Sequence, residues 1–382
     1  MAEGKRLVVC CDGTWRRLDE AEQTNVGLIA ASVAPRAPDG TRQLVAHLDG
    51  VGSGRGGGRL AKTLDRFIGG AFGAGLDDTL EEAYRFLVFN YEPGDDILIF
   101  GYSRGAFTAR SLAGLVRKCG VLERRHAGAI GRALDLYRDR DPARHPNSDA
   151  ARRFRAEHAG HVAIGQEDIA WRETQLGGDR SGTPILRIAY LGVFDTVGAL
   201  GVPSLFGEKP LFNRRHHFHD TELSSHVAAA RHAVAIDERR PAFTPTLWTN
   251  LASLNDGRTG TDAPYQQRWF PGVHGAVGGG GSDRRLSGCA LAWVLAGARL
   301  HLRDGALAEF EAVCDPLGPL APGPRGDPLF DWVQARLARD RDGPAKGDAD
   351  AISEPARRRW RDATPPYRPP PLRQVAALLD AG

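Results

Sequence analysis

The sequence predicts an α/β fold: a mainly parallel sheet with helices on both faces. Two observations lead there. Short apolar runs rich in β-branched residues alternate with segments whose apolar residues recur at helical spacing. One such junction also carries a G-x-S-x-G pentapeptide, the mark of a sharp strand-to-helix turn. Taken in order, "LVVCC" (Leu7 to Cys11), "LVAHL" (Leu44 to Leu48), "DILIF" (Asp96 to Phe100) and "ILRIAYLGVF" (Ile185 to Phe194) read as buried strands. "HAVAID" (His232 to Asp237) is a less apolar candidate. A helix is expected over Leu76 to Tyr91, because Leu80, Ala83, Tyr84, Leu87 and Val88 recur at steps of three and four. "RGAFTARSLAGLVRKCG" reads as a helix closed by Gly120, and "CALAWVLAGARLHL" (Cys289 to Leu302) as another.

Residues 121–183 are rich in Arg, His and Asp, have a helical pattern and fall between two strands, so they read as an inserted helical cap. From residue 303 onward Pro, Gly and charge rise. The expected organisation is therefore one domain over 1–302, carrying the cap, and an extension over 303–382 that packs back in part.

Composition narrows the class. The chain of 382 residues is 42% hydrophobic and 25% charged, which is globular. A net charge of +3, spread through a mixed-charge chain without a long basic block, does not imply nucleic acid as a partner. The five cysteines form no CxxC pair and no zinc-like spacing, and their odd count suits a reducing compartment or incidental thiols. The first apolar run is too short for a signal-peptide core, and no run approaches the length of a spanning helix. The chain is expected to be cytoplasmic as synthesised, with any export independent of a cleaved signal.

The chemistry centres on Gly101-Tyr102-Ser103-Arg104-Gly105. In such a turn the glycines Gly101 and Gly105 remove side chains that would collide. The serine hydroxyl is then exposed at a helix N-terminus. The amide of Arg104 points where an oxyanion forms. A serine nucleophile needs a base, and the base an orienting acid, in the chain order Ser, Asp, His for this class of hydrolase. Asp195 stands directly at the end of an apolar strand, where such an acid projects. His274 lies in a Gly-rich loop after the aromatic run "RWF", on the kind of loop that reaches the serine from another strand. The turn Asp12-Gly13-Thr14 after the first strand is placed to supply a second oxyanion amide, from Gly13 or Thr14. Asp12 has the alternative role of holding that loop by local hydrogen bonds.

Six motifs occur in order: "CCDGTW", "TNV", "GYSRGAFTARSLAGL", "GVFDTVGALGVP", "HAVAIDERRPAF" and "RWFPGVHGAVGGG". Together they resemble a bacterial and fungal α/β-hydrolase family whose best-known members are the phospholipase effectors of type VI secretion. The resemblance implies an α/β-hydrolase fold, a Ser103–Asp195–His274 triad and ester hydrolysis, with glycerophospholipids as the substrates of the best-known members. The triad chemistry itself needs no cofactor, and peripheral lipid contact is an expectation from the apolar residues of the loop over 200–213. Phe194 replaces the family's usual Trp before the acid, and Ala276 stands where an acidic residue is common in the His loop. A small-ester esterase, or a silent relative serving as a binding module, are the alternatives.

Other features carry less. Cys10 stands where an aspartyl phosphatase of D-x-D-G-T type needs its nucleophile, which removes that reading. "GGGRLAKT" (Gly56 to Thr63) lacks the second P-loop glycine, and Arg55 and Arg59 read as a solvated loop. His216, His217 and His219 fit no metal-ligand spacing, so no metal is expected. Leu205, Phe206, Leu211 and Phe212 are candidates for an acyl pocket.

Overall fold

The computed structural model describes residues 4–13, 16, 18–50, 71–198, 222–320, 332 and 335–381. Six strands form one sheet: β1 (Arg6–Cys11), β2 (Gln43–Leu48), β3 (Asp96–Tyr102), β4 (Ile188–Phe194), β5 (Ala230–Ala235) and β6 (Tyr265–Phe270). Every pairing is parallel, in the order β2-β1-β3-β4-β5-β6. The predicted α/β class is borne out. The chain steps outward from β1 to β2, then returns past β1 to β3 and continues the other way. The strand order therefore reverses between β1 and β3, and in open sheets of this kind ligand sites lie at the carboxyl ends of the strands at such a point.

Helices cover both faces. The main ones are α1 (Asn25–Ser32), α2 (Ala71–Asn90), α3 (Arg104–Cys119), α4 (Ile130–Arg138), α5 (Asp149–His158), α6 (Gln166–Leu176), α7 (Arg285–Leu295), α8 (Ala306–Val313) and α9 (Glu354–Asp362). Along β1 the side chains alternate between two cores. Leu7, Val9 and Cys11 join Tyr84 and Leu87 of α2 and Leu112 and Leu115 of α3. Val8 and Cys10 join Val26 and Ile29 of α1 and Leu291 and Val294 of α7. Burial on both faces is why "LVVCC" is continuously apolar rather than alternating. Each such aliphatic side chain contributes about 1.5–3 kcal/mol. α4, α5 and α6 all fall between α3 and β4.

Three expectations change. β6 adds a strand that the apolar pattern does not predict, because "YQQRWF" interrupts its apolar run with Gln266, Gln267 and Arg268. The helix expected to run to Leu302 spans Arg285–Leu295, ending where the close approach of Gly297 to Tyr190 and Arg231 leaves no room for a side chain. The reading of all five cysteines as incidental thiols is corrected: Cys289 and Cys314 form a disulfide. α7 and α8 pack together and bring the two Cα atoms to 4.6 Å across 25 residues, a separation that no short spacing motif reveals. Cys10, Cys11 and Cys119 are free and buried, and burial pushes the Cys119 thiol up to about 12.

Part of the chain beyond α8 covers the outer edge of β6. Trp269 of β6 donates to Ala351 and accepts from Ser353. Ile352, Trp360, Tyr367 and Leu372 pack with Val234, Ile236 and Trp269 in a third apolar cluster. No helix among the described residues is long and apolar enough to cross a membrane.

Candidate active site

Ser103 sits between the last residue of β3 and the first of α3, with φ 57° and ψ −120°. A non-glycine residue in that region stores local strain that the surrounding packing must hold. The two glycines explain how. A Cβ on Gly101 would lie 2.6 Å from the Ala106 Cα, and one on Gly105 would lie 2.1 Å from the Cys11 carbonyl oxygen. The turn is thus pressed against the end of β1. Gly105→Ala is expected to destabilise the fold by about 3 kcal/mol through this overpacking. An unchanged urea midpoint would contradict it.

Asp195 follows β4 directly and also has positive φ, 39°. Its amide donates to Ala233, and the Ser103 amide donates to Phe194, so both residues hang on adjacent, hydrogen-bonded strand ends. The turn at Asp195 rests on His232. The ring accepts from the Thr196 amide through Nε2 and donates through Nδ1 to Gln267 Oε1, at 3.1 and 2.9 Å. Burial drives the His232 pKa down to about 3, so this ring is neutral, as its role as acceptor requires.

His274 opens a short helix, His274–Gly278. Its Nε2 is 2.8 Å from Ser103 Oγ and its Nδ1 is 2.6 Å from Asp195 Oδ2. The carboxylate takes the Nδ1 proton in a hydrogen bond, which leaves Nε2 as acceptor for the serine hydroxyl. Burial lowers the His274 pKa, and Asp195 opposes that shift. Tyr102 and Phe243 flank the ring, with centroids 4.8 and 4.6 Å away.

Two acids hold the His loop. Asp237 accepts from the Gly272 amide and Glu238 from the His274 amide. Asn25 of the "TNV" motif donates to Val277 and Ser287 on the other side. These contacts position the loop that carries Ala276. Sequence reasoning missed both acids, although they follow β5 immediately, where strand-end residues reach a site.

Asp12 is buried and accepts from Thr24 Oγ1 at 2.9 Å and from the Gly13 amide at 2.6 Å, with His47 Nε2 at 3.3 Å. It therefore does hold the loop after β1. Gly13 stands beside Tyr102 and Ser103, but its amide is engaged by Asp12. Arg104 is in the first turn of α3, and burial lowers its guanidinium pKa to about 9. Thr14, Leu205, Phe206, Leu211 and Phe212 lie outside the described residues, as do Arg55, Arg59, His216, His217 and His219.

One further residue reaches the group, and it comes from the far end of the chain. Arg341 donates to both Asp195 oxygens, Nη1 to Oδ1 at 2.7 Å and Nη2 to Oδ2 at 2.9 Å. Nothing local in the sequence marks it.

An uncharacterized yeast protein (Saccharomyces cerevisiae) is 27% identical over 260 residues, covering 65% of this chain and 33% of its own. A solved type VI secretion Tle1 effector, bound to the VgrG spike, is 18% identical with a TM-score of 0.37, covering 74% of this chain and 53% of its own. An uncharacterized protein from Pseudomonas aeruginosa is 19% identical with a TM-score of 0.40, covering 88% and 51%. The chain thus spans about a third of the yeast relative and about half of the two solved chains. The model of the type VI secretion Tle1-like phospholipase effectors, catalytic domain, matches residues 5–297, and the chain belongs to that family.

Proposed function

We propose that the protein is a serine carboxylic ester hydrolase acting on phospholipids through Ser103, His274 and Asp195. The observation that carries the reading is the continuous hydrogen-bond chain from the Ser103 hydroxyl through the His274 ring to a buried carboxylate. The phospholipid substrate is drawn from the family, whose name is that of phospholipase effectors.

Ser103 Oγ attacks the ester carbonyl while His274 Nε2 takes its proton. Asp195 stabilises the imidazolium. The carbonyl oxygen becomes an oxyanion, held by the Arg104 amide and, with the Gly13 amide engaged by Asp12, by that of Thr14. Its collapse expels the alcohol, which receives the proton from His274. Water then attacks the acyl-serine with His274 again as base, releasing the fatty acid and restoring the hydroxyl. The sequence of steps is complete without a cofactor. Residues 1–302 form the catalytic unit in this reading, with 121–183 as its cap and 303–382 as an extension. The aliphatic and aromatic residues Leu205, Phe206, Leu211 and Phe212 are its acyl-pocket candidates.

The test compares fatty-acid release from phosphatidylcholine vesicles with cleavage of short aryl esters, alongside labelling by a fluorophosphonate. Release from vesicles and labelling of the serine are expected. Turnover of short esters alone would remove the phospholipase reading. Absence of labelling in folded protein would remove the enzyme.

A further inference from the structure

The acid of the candidate triad is held from outside the segment that defines the family. Asp195 is fully buried and has about four acceptor positions on its two oxygens. Oδ1 accepts from the Ala235 amide and from Arg341 Nη1. Oδ2 accepts from His274 Nδ1 and from Arg341 Nη2. The same two guanidinium nitrogens also donate to the carbonyls of Ala235 and Phe243, at 2.7 and 2.6 Å. Arg341 is therefore not a surface side chain that happens to reach an acid. Its planar fork matches the carboxylate and is fixed on its other edge by two backbone groups. Its side chain is only 5% exposed.

The backbone that delivers it is pinned on both sides. Arg339 donates its amide to Arg239, and Arg239 pairs with Asp340 at 2.9 Å. Two residues on, Gly343 (φ 78°) lies so close to Pro371 that a Cβ there would be 1.9 Å from its carbonyl oxygen. Arg341 is thus locked to the loop after β5 and to the packed end of the chain.

We propose that Arg341 is a positioning residue of the triad: by gripping both oxygens of Asp195 it fixes the carboxylate toward His274, and the extension beyond the family domain thereby becomes part of the catalytic apparatus. The mechanistic consequence rests on the ester-hydrolase reading; the positioning itself does not. Two effects follow. The fork stops the carboxylate from rotating, which keeps one lone pair on the Nδ1 proton. Its positive charge also offsets the negative charge of Asp195, so the imidazolium gains less from its acid than in an unpaired His–Asp couple.

The titratable and charged groups around the pair, among the described residues, come from several elements and include Asp237 of the loop after β5. Tyr102 faces it from β3, with Arg16 and Asp12 behind. Glu238, paired with Arg240, faces it from the loop after β5. His232, with Arg110 nearby, lies beneath the Asp195 turn. Arg341 comes from the extension. Burial is the largest influence lowering the His274 pKa; Asp195 and Glu238 oppose it and Arg341 adds to it. A cation removed from this site favours the protonated ring, so the titration moves upward.

The experiment follows the downfield Nδ1 proton resonance of His274 across pH in the full chain, for wild type, Arg341→Gln and Arg341→Lys, beside kcat and KM on a phospholipid ester. In Arg341→Gln the titration midpoint is expected to rise by about one pH unit. The kcat is expected to fall about tenfold with KM unchanged, the pattern for a group that acts only in the transition state. Arg341→Lys keeps the charge without the fork, so its midpoint stays near wild type while kcat falls. A folded Arg341→Gln with an unmoved midpoint overturns the proposal. If that variant does not fold, an undiminished kcat in Arg341→Lys overturns it. A wild type that takes no fluorophosphonate but whose midpoint responds to Arg341→Gln upholds the positioning and removes the ester-hydrolase reading.

Discussion

Ser103→Ala is expected to lower kcat by about 10⁴–10⁶-fold and to abolish fluorophosphonate labelling, with the fold retained. The size follows from what the residue does. In the proposed reaction its oxygen forms the covalent bond to the acyl group, and it is the hydroxyl hydrogen-bonded to His274 Nε2. Stability is expected to change little. Ser103 has φ 57°, a conformation that alanine tolerates no better, so its strain remains. The substitution removes the hydrogen bond between the hydroxyl and His274, and that ring is still held by Asp195. Turnover within tenfold of wild type, from protein free of contaminating esterase, would remove Ser103 as nucleophile.

Asp195→Asn is expected to lower kcat by about 10⁴-fold, as loss of the orienting acid does in triads of this type. Here it also has a stability cost that Ser103→Ala lacks. The substitution leaves the Arg341 guanidinium buried without its counter-charge, and breaking a buried pair in this way costs about 3–5 kcal/mol. Both effects should show together, as lower turnover and a lowered chemical-denaturation midpoint. The pH dependence has a definite sign. Burial alone would raise the Asp195 pKa; Arg341 and His274 outweigh it and hold the carboxyl well below the usual range. Its contribution is therefore complete above the ordinary carboxylate range and is lost as pH falls toward the depressed folded value. In Asp195→Asn that acid-side loss should shrink. An Asn variant as stable as wild type at neutral pH would mean that the Arg341–Asp195 pair contributes nothing net.

Much of the fold and the site is legible in the sequence, for reasons that differ by residue. β1 and β3 are buried on both faces, and that burial writes itself as continuous apolar runs. The turn at Ser103 is legible because its glycines are required by contacts to residues close in sequence or on the adjacent strand. Asp195 and His274 follow from chain order, and the folded chain brings Asp195 to His274, and His274 to Ser103, at hydrogen-bond distance. β6 is hidden because its Gln266 side chain bonds locally to Ala263 and Gln267 serves His232, so polar residues occupy positions that an apolar pattern would need. Arg341 is hidden more completely. It lies in a charged, Gly- and Pro-rich stretch without periodicity, and its partner is 146 residues away. Only the assembled chain brings the two together.

The pairing of Trp269 with the segment around Ile352 has a consequence for how the molecule meets other copies of itself. A parallel sheet ending on β6 would otherwise present a row of open amides and carbonyls, with the apolar cluster around Trp269 alongside, and such a row is a template for further strands. Residues 351–353 occupy part of that row. The last stretch of the chain therefore acts as an end-stop against lateral polymerisation. A fragment trimmed to the family boundary would lose this end-stop together with the clamp on Asp195, and its inactivity would confound assembly with chemistry.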